Sequence, residues 1–287
     1  HLSFLKTGKL LIAISGGIDS VVLTHLCYDL KLNMALAHCN FNLRGAESDT
    51  DEEFVLHLAD KLNLEVFIES FDTETFAKSN KLSIQMAARQ LRYDWFKDLS
   101  EQLNFDWILT AHHADDNLQT LLINSSRGTG LEGLLGIPEI NENIVRPLLP
   151  FSRQMIEDYA KQKKYKWRED SSNASVKYLR NKLRQSVIPA LKELSPNFLS
   201  SFQATLNNLN DTSDIVEESL NAVLKRAIVS IDNNEIKIKI SEFKKLNNPK
   251  AYLHEFLKDY GFTEWNDVYH MFGKLTLVIF VSFDCTL

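Results

Sequence analysis

The sequence predicts an α/β protein: a doubly wound parallel sheet followed by a smaller, mostly helical domain. Three observations lead there. Short apolar runs sized for buried strands, at 10–14, 33–38, 64–68 and 105–111, alternate with longer amphipathic stretches. The first run passes through Ser-Gly-Gly straight into a helical pattern, a strand–loop–helix unit. From about residue 195 the pattern changes to long helical stretches around one alternating strand. The expected division is a sheet domain at 1–190, a mostly helical domain at 191–270 and an atypical tail at 271–287.

Composition sets the outer limits. The chain has 287 residues, 44% hydrophobic and 24% charged, enough for one large or two ordinary globular domains. A net charge of −6 argues against a generally basic surface, so a nucleic-acid partner has to be met by a local patch. Cys27, Cys39 and Cys285 have no CxxC spacing and read as reduced, packed thiols. No apolar run has transmembrane length and no signal segment opens the chain, although its first residue is His1 rather than Met. The expectation is a cytoplasmic protein with no membrane partner.

The first strand ends at Ser15-Gly16-Gly17-Ile18-Asp19-Ser20. Two glycines let backbone N–H groups approach a ligand, and the helix behind them adds its positive dipole end. Phosphate is the expected ligand; the plain alternative is a tight turn before a helix. No Gly-Lys-Ser/Thr follows, and Asp19 stands where that lysine's charge is expected. A carboxylate beside phosphates requires a cation between them.

The second strand, 33–38, brings His38 to its carboxyl end, next to the loop 39–45 that contains Arg44. Ligands of such sheets bind there. The acidic run 47–53 reads as the solvated first turn of a helix, with no chemistry assigned. After the strand 64–68, a helix over 84–99 puts Arg89, Arg92 and Tyr93 together, either as a surface ion-pair face or as part of a pocket.

The strand 105–111 ends in His112-His113-Ala114-Asp115-Asp116-Asn117-Leu118-Gln119. Two histidines and two carboxylates at a strand end are expensive unless they bind something, so the cluster is a divalent-metal site or a polar lid. Beside phosphates the expected ion is Mg²⁺, because zinc wants a closed nitrogen and sulfur set that is not assembled here. The glycine-rich segment 126–138 offers Arg127 to a phosphate, and its interleaved apolar residues are expected to pack.

Lys163, Lys164, Lys166 and Arg168, then Lys177, Arg180, Lys182 and Arg184, form the conspicuous basic patch. It suits nucleic acid, with Tyr165 and Trp167 stacking on a nucleotide or packing in the core. Ser195-Pro196 opens a helical region to about 231, residues 235–240 alternate as a strand, Ser241 caps a short helix, and 249–260 is a helix ended by Gly261. The apolar run 275–283 is either a buried terminal strand or the mark of a truncated or altered end.

Taken in order, these motifs resemble one family. Ser15 to Ser20, Ala88-Arg89 with Arg92-Tyr93, Ala111 to Asp116, Arg127-Gly128-Thr129-Gly130 and Arg146-Pro147-Leu148-Leu149 are similar to the bacterial tRNA(Ile)-lysidine synthetases. So are Asp170, Ser172, Asn173, Arg180, Asn181 and Arg184. These enzymes are N-type ATP pyrophosphatases with a pyrophosphate loop and an adenine nucleotide alpha hydrolase-like sheet. The resemblance implies that ATP adenylates the wobble cytidine of a CAU-anticodon isoleucine tRNA, that free L-lysine then displaces AMP, and that a homodimer is allowed.

It also implies roles. Ser15, Gly16, Gly17, Ile18, Asp19, Ser20, His38, Arg127 and Gly128 are expected to bind ATP, and Asp19, Asp115 and Gln119 to hold Mg²⁺. Asp19, Arg92, His112 and Asp116 are the expected catalytic residues, the last three also binding lysine. Lys163, Lys164, Lys166, Arg168, Arg180 and Arg184 are expected to meet tRNA. Gln119 departs from the family's usual glutamate, and an amide oxygen is a weaker Mg²⁺ ligand than a carboxylate. Two rival readings are a tRNA-thiolating relative and a nucleotide- or RNA-binding relative with weakened catalysis.

Overall fold

The computed structural model describes residues 2–169, 179–232, 235–262 and 264–270, and the backbone of 276–280. It divides into two compact units, His1–Leu206 and Asn207–Leu287.

The first unit is an α/β sandwich. In chain order it contains β1 (Leu10–Ala13), α1 (Ile18–Asp29), β2 (Met34–Asn40), α2 (Ala46–Leu62), β3 (Val66–Ser70), α3 (Thr73–Ser79), α4 (Ile84–Leu103) and β4 (Trp107–Leu109). There follow α5 (Ala114–Arg127), α6 (Leu131–Leu134), β5 (Ile140–Asn141), β6 (Ile144–Val145), α7 (Arg153–Lys163), α8 (Leu179–Lys182), a π-helical turn (Leu183–Val187) and α9 (Ile188–Leu194). Among the described residues the sheet order is β3-β2-β1-β4-β6-β5. All pairs are parallel except the β5–β6 hairpin.

Strand β1 shows why this sheet forms. Side chains alternate along a strand, and Leu10 and Ile12 enter one core with α1 residues Val21, Val22 and Leu23 while Leu11 enters the other with Phe96 and Leu99 of α4. All three strand residues are fully buried, so β1 is covered on both faces and has to be apolar throughout. With β2 and β4 on either side of β1, the topology reverses there, and the carboxyl ends of β1 and β4 flank one crevice.

Some elements differ from the sequence reading. Helix α4 runs on to Leu103, where Asn104 ends it in the left-handed region, and Ser83 caps its start by accepting from Met86 N at 3.3 Å. The third strand is Val66–Ser70, shifted to pair with His38 and its neighbours. The acidic run lies inside α2, and Asp51 within it is buried rather than solvated.

The boundary between the units falls within the long helix α10 (Phe198–Ala227). The second unit continues with β7 (Ile228–Asp232), β8 (Glu235–Lys239), α11 (Ile240–Lys244), α12 (Pro249–Leu257), α13 (Trp265–His270) and β9 (Thr276–Phe280). The helix expected to reach about 231 therefore stops at Ala227, because Ile228–Asp232 pairs antiparallel with β8. Ser241 lies inside α11, whose cap position is Lys239. Alternation on β8 buries Ile236 and Ile238 against Phe243, Leu253 and Leu257. The backbone of Thr276–Phe280 is the third strand, paired with β8 from Lys239↔Thr276 to Glu235↔Phe280.

Candidate active site

The loop between β1 and α1 is held in shape by its own serines. Ser20 Oγ donates to Gly17 O at 2.9 Å and accepts from Ser15 N at 3.2 Å. Gly16 has φ +84°, a conformation strained for any residue with a Cβ, and its carbonyl accepts from Arg168 N at 2.9 Å. Gly17 occupies the N-cap of α1, so Ile18 and Asp19 form that helix's first turn. His38 lies behind the loop, 4% exposed, and its Nδ1–H donates to Ile14 O at 2.9 Å. Burial lowers its pKa, so the ring is neutral and braces the strand end.

A second support was not legible in the sequence. Asp51 accepts from Arg44 Nη2 at 2.8 Å and from Arg168 Nε at 3.0 Å. Arg168 thus ties α2 and the segment after α7 to Gly16. A Cβ added at Gly16 would lie 3.4 Å from Phe54 and 3.6 Å from Arg168.

The carboxylates gather at the start of α5. His113, 2% exposed, has Nε2 3.8 Å from Asp19 Oδ1 and 3.3 Å from Asp116 Oδ2, with Nδ1 3.9 Å from Asp115 Oδ2. The sequence reading favoured His112 over this residue; the signal for His113 was its place as N-cap of α5. Each carboxylate also meets a cation. Arg153 pairs with Asp19, Lys192 pairs with Asp115, and Arg184 Nη2 lies 3.3 Å from Asp116 Oδ1. Asp115 further accepts from Arg153 N at 2.8 Å. Burial acts to raise the Asp115 carboxyl, but that N–H and the Lys192 ammonium outweigh it and hold the pKa below the usual carboxylate range.

These residues fit a magnesium ion shared with substrate phosphates, which is held through one or two carboxylates. Asp19 and Asp115 flank one imidazole, and Asp19 Oδ1 is buried with no hydrogen-bond partner among the described residues. Gln119 follows Asp115 by one helical turn, is 3% exposed, and leaves Nε2 unpartnered among the described residues. Among the described residues no three His, Cys, Asp or Glu side chains form a preformed metal cage.

His112 faces a different environment. It shares a 3.0 Å hydrogen bond with Thr110 Oγ1. Burial pushes its pKa down to about 4; Asp116 opposes this, while Arg146, Arg92 and Arg89 reinforce it. Arg89 stacks on Tyr93 at 4.7 Å and Arg92 on Phe41 at 5.6 Å. Arg146 is buried, donates from Nη1 to Pro138 O at 2.7 Å, and keeps Nε unpartnered among the described residues. Arg89 and Arg146 join the expected Arg92 as the basic side of the site.

Other expected residues lie apart. Arg127 and Gly128 are exposed at the far end of α5, roughly 16 Å from Asp116 along a helix rising 1.5 Å per residue. The glycine-rich segment is tied to α5 by hydrogen bonds, Asn117 Oδ1 accepting from Ile137 N at 2.7 Å beneath Gly136, while its apolar residues Leu131, Leu134, Leu135 and Ile137 are only half-buried. Lys163, Lys164, Lys166, Arg180 and Arg184 are exposed. Tyr165 stacks on His25 at 3.8 Å and Trp167 packs against the sheet core, so both aromatics are half-buried in packing within the chain. Asp170, Ser172, Asn173 and Lys177 lie outside the described residues. Burial pushes the thiols of Cys27 and Cys39 up to about 12, and Cys285 lies outside the described residues. No helix among the described residues is long and apolar enough to cross a membrane.

The fold has counterparts among known proteins. Residues 2–191 match the family model described as PP-loop domain, and residues 231–282 match the TilS substrate binding domain. The tRNA(Ile)-lysidine synthase of Bacteroides thetaiotaomicron is 40% identical over 262 residues, covering 91% of this chain and 60% of that protein. That of Porphyromonas gingivalis is 40% identical over 256 residues, covering 88% of this chain and 55% of the relative. The chain thus spans somewhat more than half the length of these relatives. Among solved structures, the U34-tRNA thiolase NcsA from Methanococcus maripaludis, with its [4Fe-4S] cluster, superposes with a TM-score of 0.58. It covers 70% of this chain and 72% of its own at 18% identity, a likeness of fold alone.

Proposed function

Since the chain belongs to the PP-loop domain family, we propose that it is a lysidine-forming ligase, joining free L-lysine to C2 of the wobble cytidine of a CAU-anticodon isoleucine tRNA. One observation carries this reading. At the carboxyl end of β4 the consecutive residues His112 and His113 join two half-sites, His113 among the carboxylates beside the glycine loop and His112 within the field of Arg89, Arg92 and Arg146. The first suits ATP and its metal, and the second suits an amino acid and a base.

In the first step the C2 oxygen of the cytidine attacks the α-phosphorus of ATP, and the bond to the β-phosphate bridging oxygen breaks. Pyrophosphate leaves with that electron pair. The N–H groups of the first turn of α1, Ile18 to Ser20, would hold the phosphates, while the Ser15 N–H stays on Ser20 Oγ and keeps the loop in shape. Asp19, with Asp115 and Gln119, would hold the Mg²⁺, which neutralises phosphate charge when bound. In the second step the lysine ε-amine attacks C2, the C–N bond forms, and AMP departs with the former C2 oxygen.

The attacking amine has to give up a proton. His112, with a pKa near 4, is neutral at physiological pH but a weak acceptor, so Asp116 is the better-placed carboxylate for the amine. Arg92, with Arg89 and Arg146, would receive the lysine carboxylate. The exposed Lys163, Lys164, Lys166 and Arg180, together with Arg168 and Arg184, would meet the tRNA backbone. Such a reaction places the protein in the cytoplasm.

The test is product analysis with ATP labelled at the α-phosphate. Label in AMP, formed only with the CAU-anticodon transcript and Mg²⁺, supports the reading. Label in ADP, or turnover indifferent to tRNA, contradicts it.

A further inference from the structure

Asp19 presents an electrostatic difficulty. It sits in the first turn of α1, beside the Gly16-Gly17 backbone that would cradle phosphates, and a triphosphate brought there meets a carboxylate. The expected neutralising arginine, Arg127, is at the distant end of α5. Among the described residues, the cation on Asp19 is Arg153.

Arg153 is the first residue of α7. Its backbone is fixed twice: Ser152 caps the helix by accepting from Met155 N at 3.2 Å, and Arg153 N donates to Asp115 Oδ2 at 2.8 Å. Ile156 and Ala160 bury the helix behind it. The side chain, by contrast, is 40% exposed and pairs with Asp19, which is 25% exposed. A fixed base with an accessible guanidinium can change partners without moving the helix. The neighbouring cations are already engaged, Arg168 with Asp51, Lys192 with Asp115 and Arg184 with Asp116.

We propose that Arg153 is a substrate-binding residue for the β- and γ-phosphates of ATP, its guanidinium passing from Asp19 to phosphate oxygens and so freeing Asp19 for the metal. This rests on the ATP-cleaving reading above. A planar guanidinium matches two phosphate oxygens at once, which a lysine ammonium cannot do. The exchange replaces one ion pair with another, so the site carries its own counterion until the nucleotide arrives. When the α–β bond breaks, the same guanidinium faces the charge that develops on pyrophosphate.

The experiment is equilibrium binding of ATP and of AMP to the whole chain, with Mg²⁺ and with EDTA, for the unaltered protein, Arg153→Gln and Arg153→Lys, each checked by thermal melting. Loss of a charge-assisted contact to phosphate should weaken ATP about tenfold or more and leave AMP unchanged, in EDTA as well as in Mg²⁺. Arg153→Lys should recover part of the ATP affinity, and it supplies the comparison if Arg153→Gln does not fold. An unchanged ATP-to-AMP ratio overturns the proposal while leaving the ATP reading intact. Equal loss of both nucleotides marks a structural role and also overturns it. If the unaltered protein binds neither nucleotide, the ATP reading itself fails.

Discussion

The two half-sites at the end of β4 have opposite charge, and each manages it differently. On the loop side, Asp19, Asp115 and Asp116 are neutralised by side chains from later in the chain, Arg153, Lys192 and Arg184. On the other side, Arg89, Arg92 and Arg146 make no ion pair with a carboxylate among the described residues; they rest on Tyr93, Phe41 and the Pro138 carbonyl. Paired carboxylates can exchange one cation for another, as a metal–phosphate site must. Arginines stacked on aromatics keep their charge available to an anion from outside. Adjacent histidines follow the same division, His113 among the carboxylates and His112 among the arginines.

Substitutions can break that contrast, and the largest effect is expected on the loop side. Asp19→Asn keeps the shape and removes the charge that would hold the metal, so pyrophosphate release should fall by at least about a hundredfold with little change in melting temperature. Near-normal turnover would show that the loop carboxylate is dispensable. Asp51→Ala leaves Arg44 and Arg168 without their shared partner beneath the loop, and denaturant unfolding should show a loss of about 2–3 kcal/mol. Gly16→Ala forces a Cβ into φ +84° near Phe54 and Arg168, which should cost about 1–2 kcal/mol and weaken ATP before it touches tRNA binding.

The smallest effect concerns pH on the arginine side. In the folded chain His112 titrates near 4, against an ordinary value of 6.5, so between those values the unfolded chain binds the extra proton. Its contribution to stability is present above about 6.5 and is lost as pH falls toward 4. His112→Gln should therefore flatten the rise of stability with pH across that window in urea titrations. An unaltered slope would mean that His112 is not buried among the three arginines.

What could be read in advance follows the range of the interactions. Strand β1, its glycine loop and α1 were legible because apolar period, glycine conformation and helix start are local. The gathering of Asp115 and Asp116 at a strand end was legible for the same reason. Asp51 was not: an acidic residue near a helix start looks like a solvated dipole partner until Arg168, far along the chain, is folded onto it. Arg153 was missed because nothing near it in sequence marks it, and only the approach of α7 to α1 sets it on Asp19. Arg127, a cation beside glycines that local reading assigns to phosphate, stands at the other end of α5 from Asp115 and Asp116. Ile228–Asp232 read as helix because its pairing with β8 is tertiary.

The most direct measurement is transfer of radiolabelled lysine to a CAU-anticodon isoleucine tRNA transcript in the presence of ATP and Mg²⁺, beside a transcript with an altered wobble base. Label in the first tRNA alone is the predicted result, and it would also show that Gln119 serves in place of glutamate. Label in neither, from folded protein that binds ATP, or equal label in both, would contradict the assignment of this site to wobble-cytidine ligation.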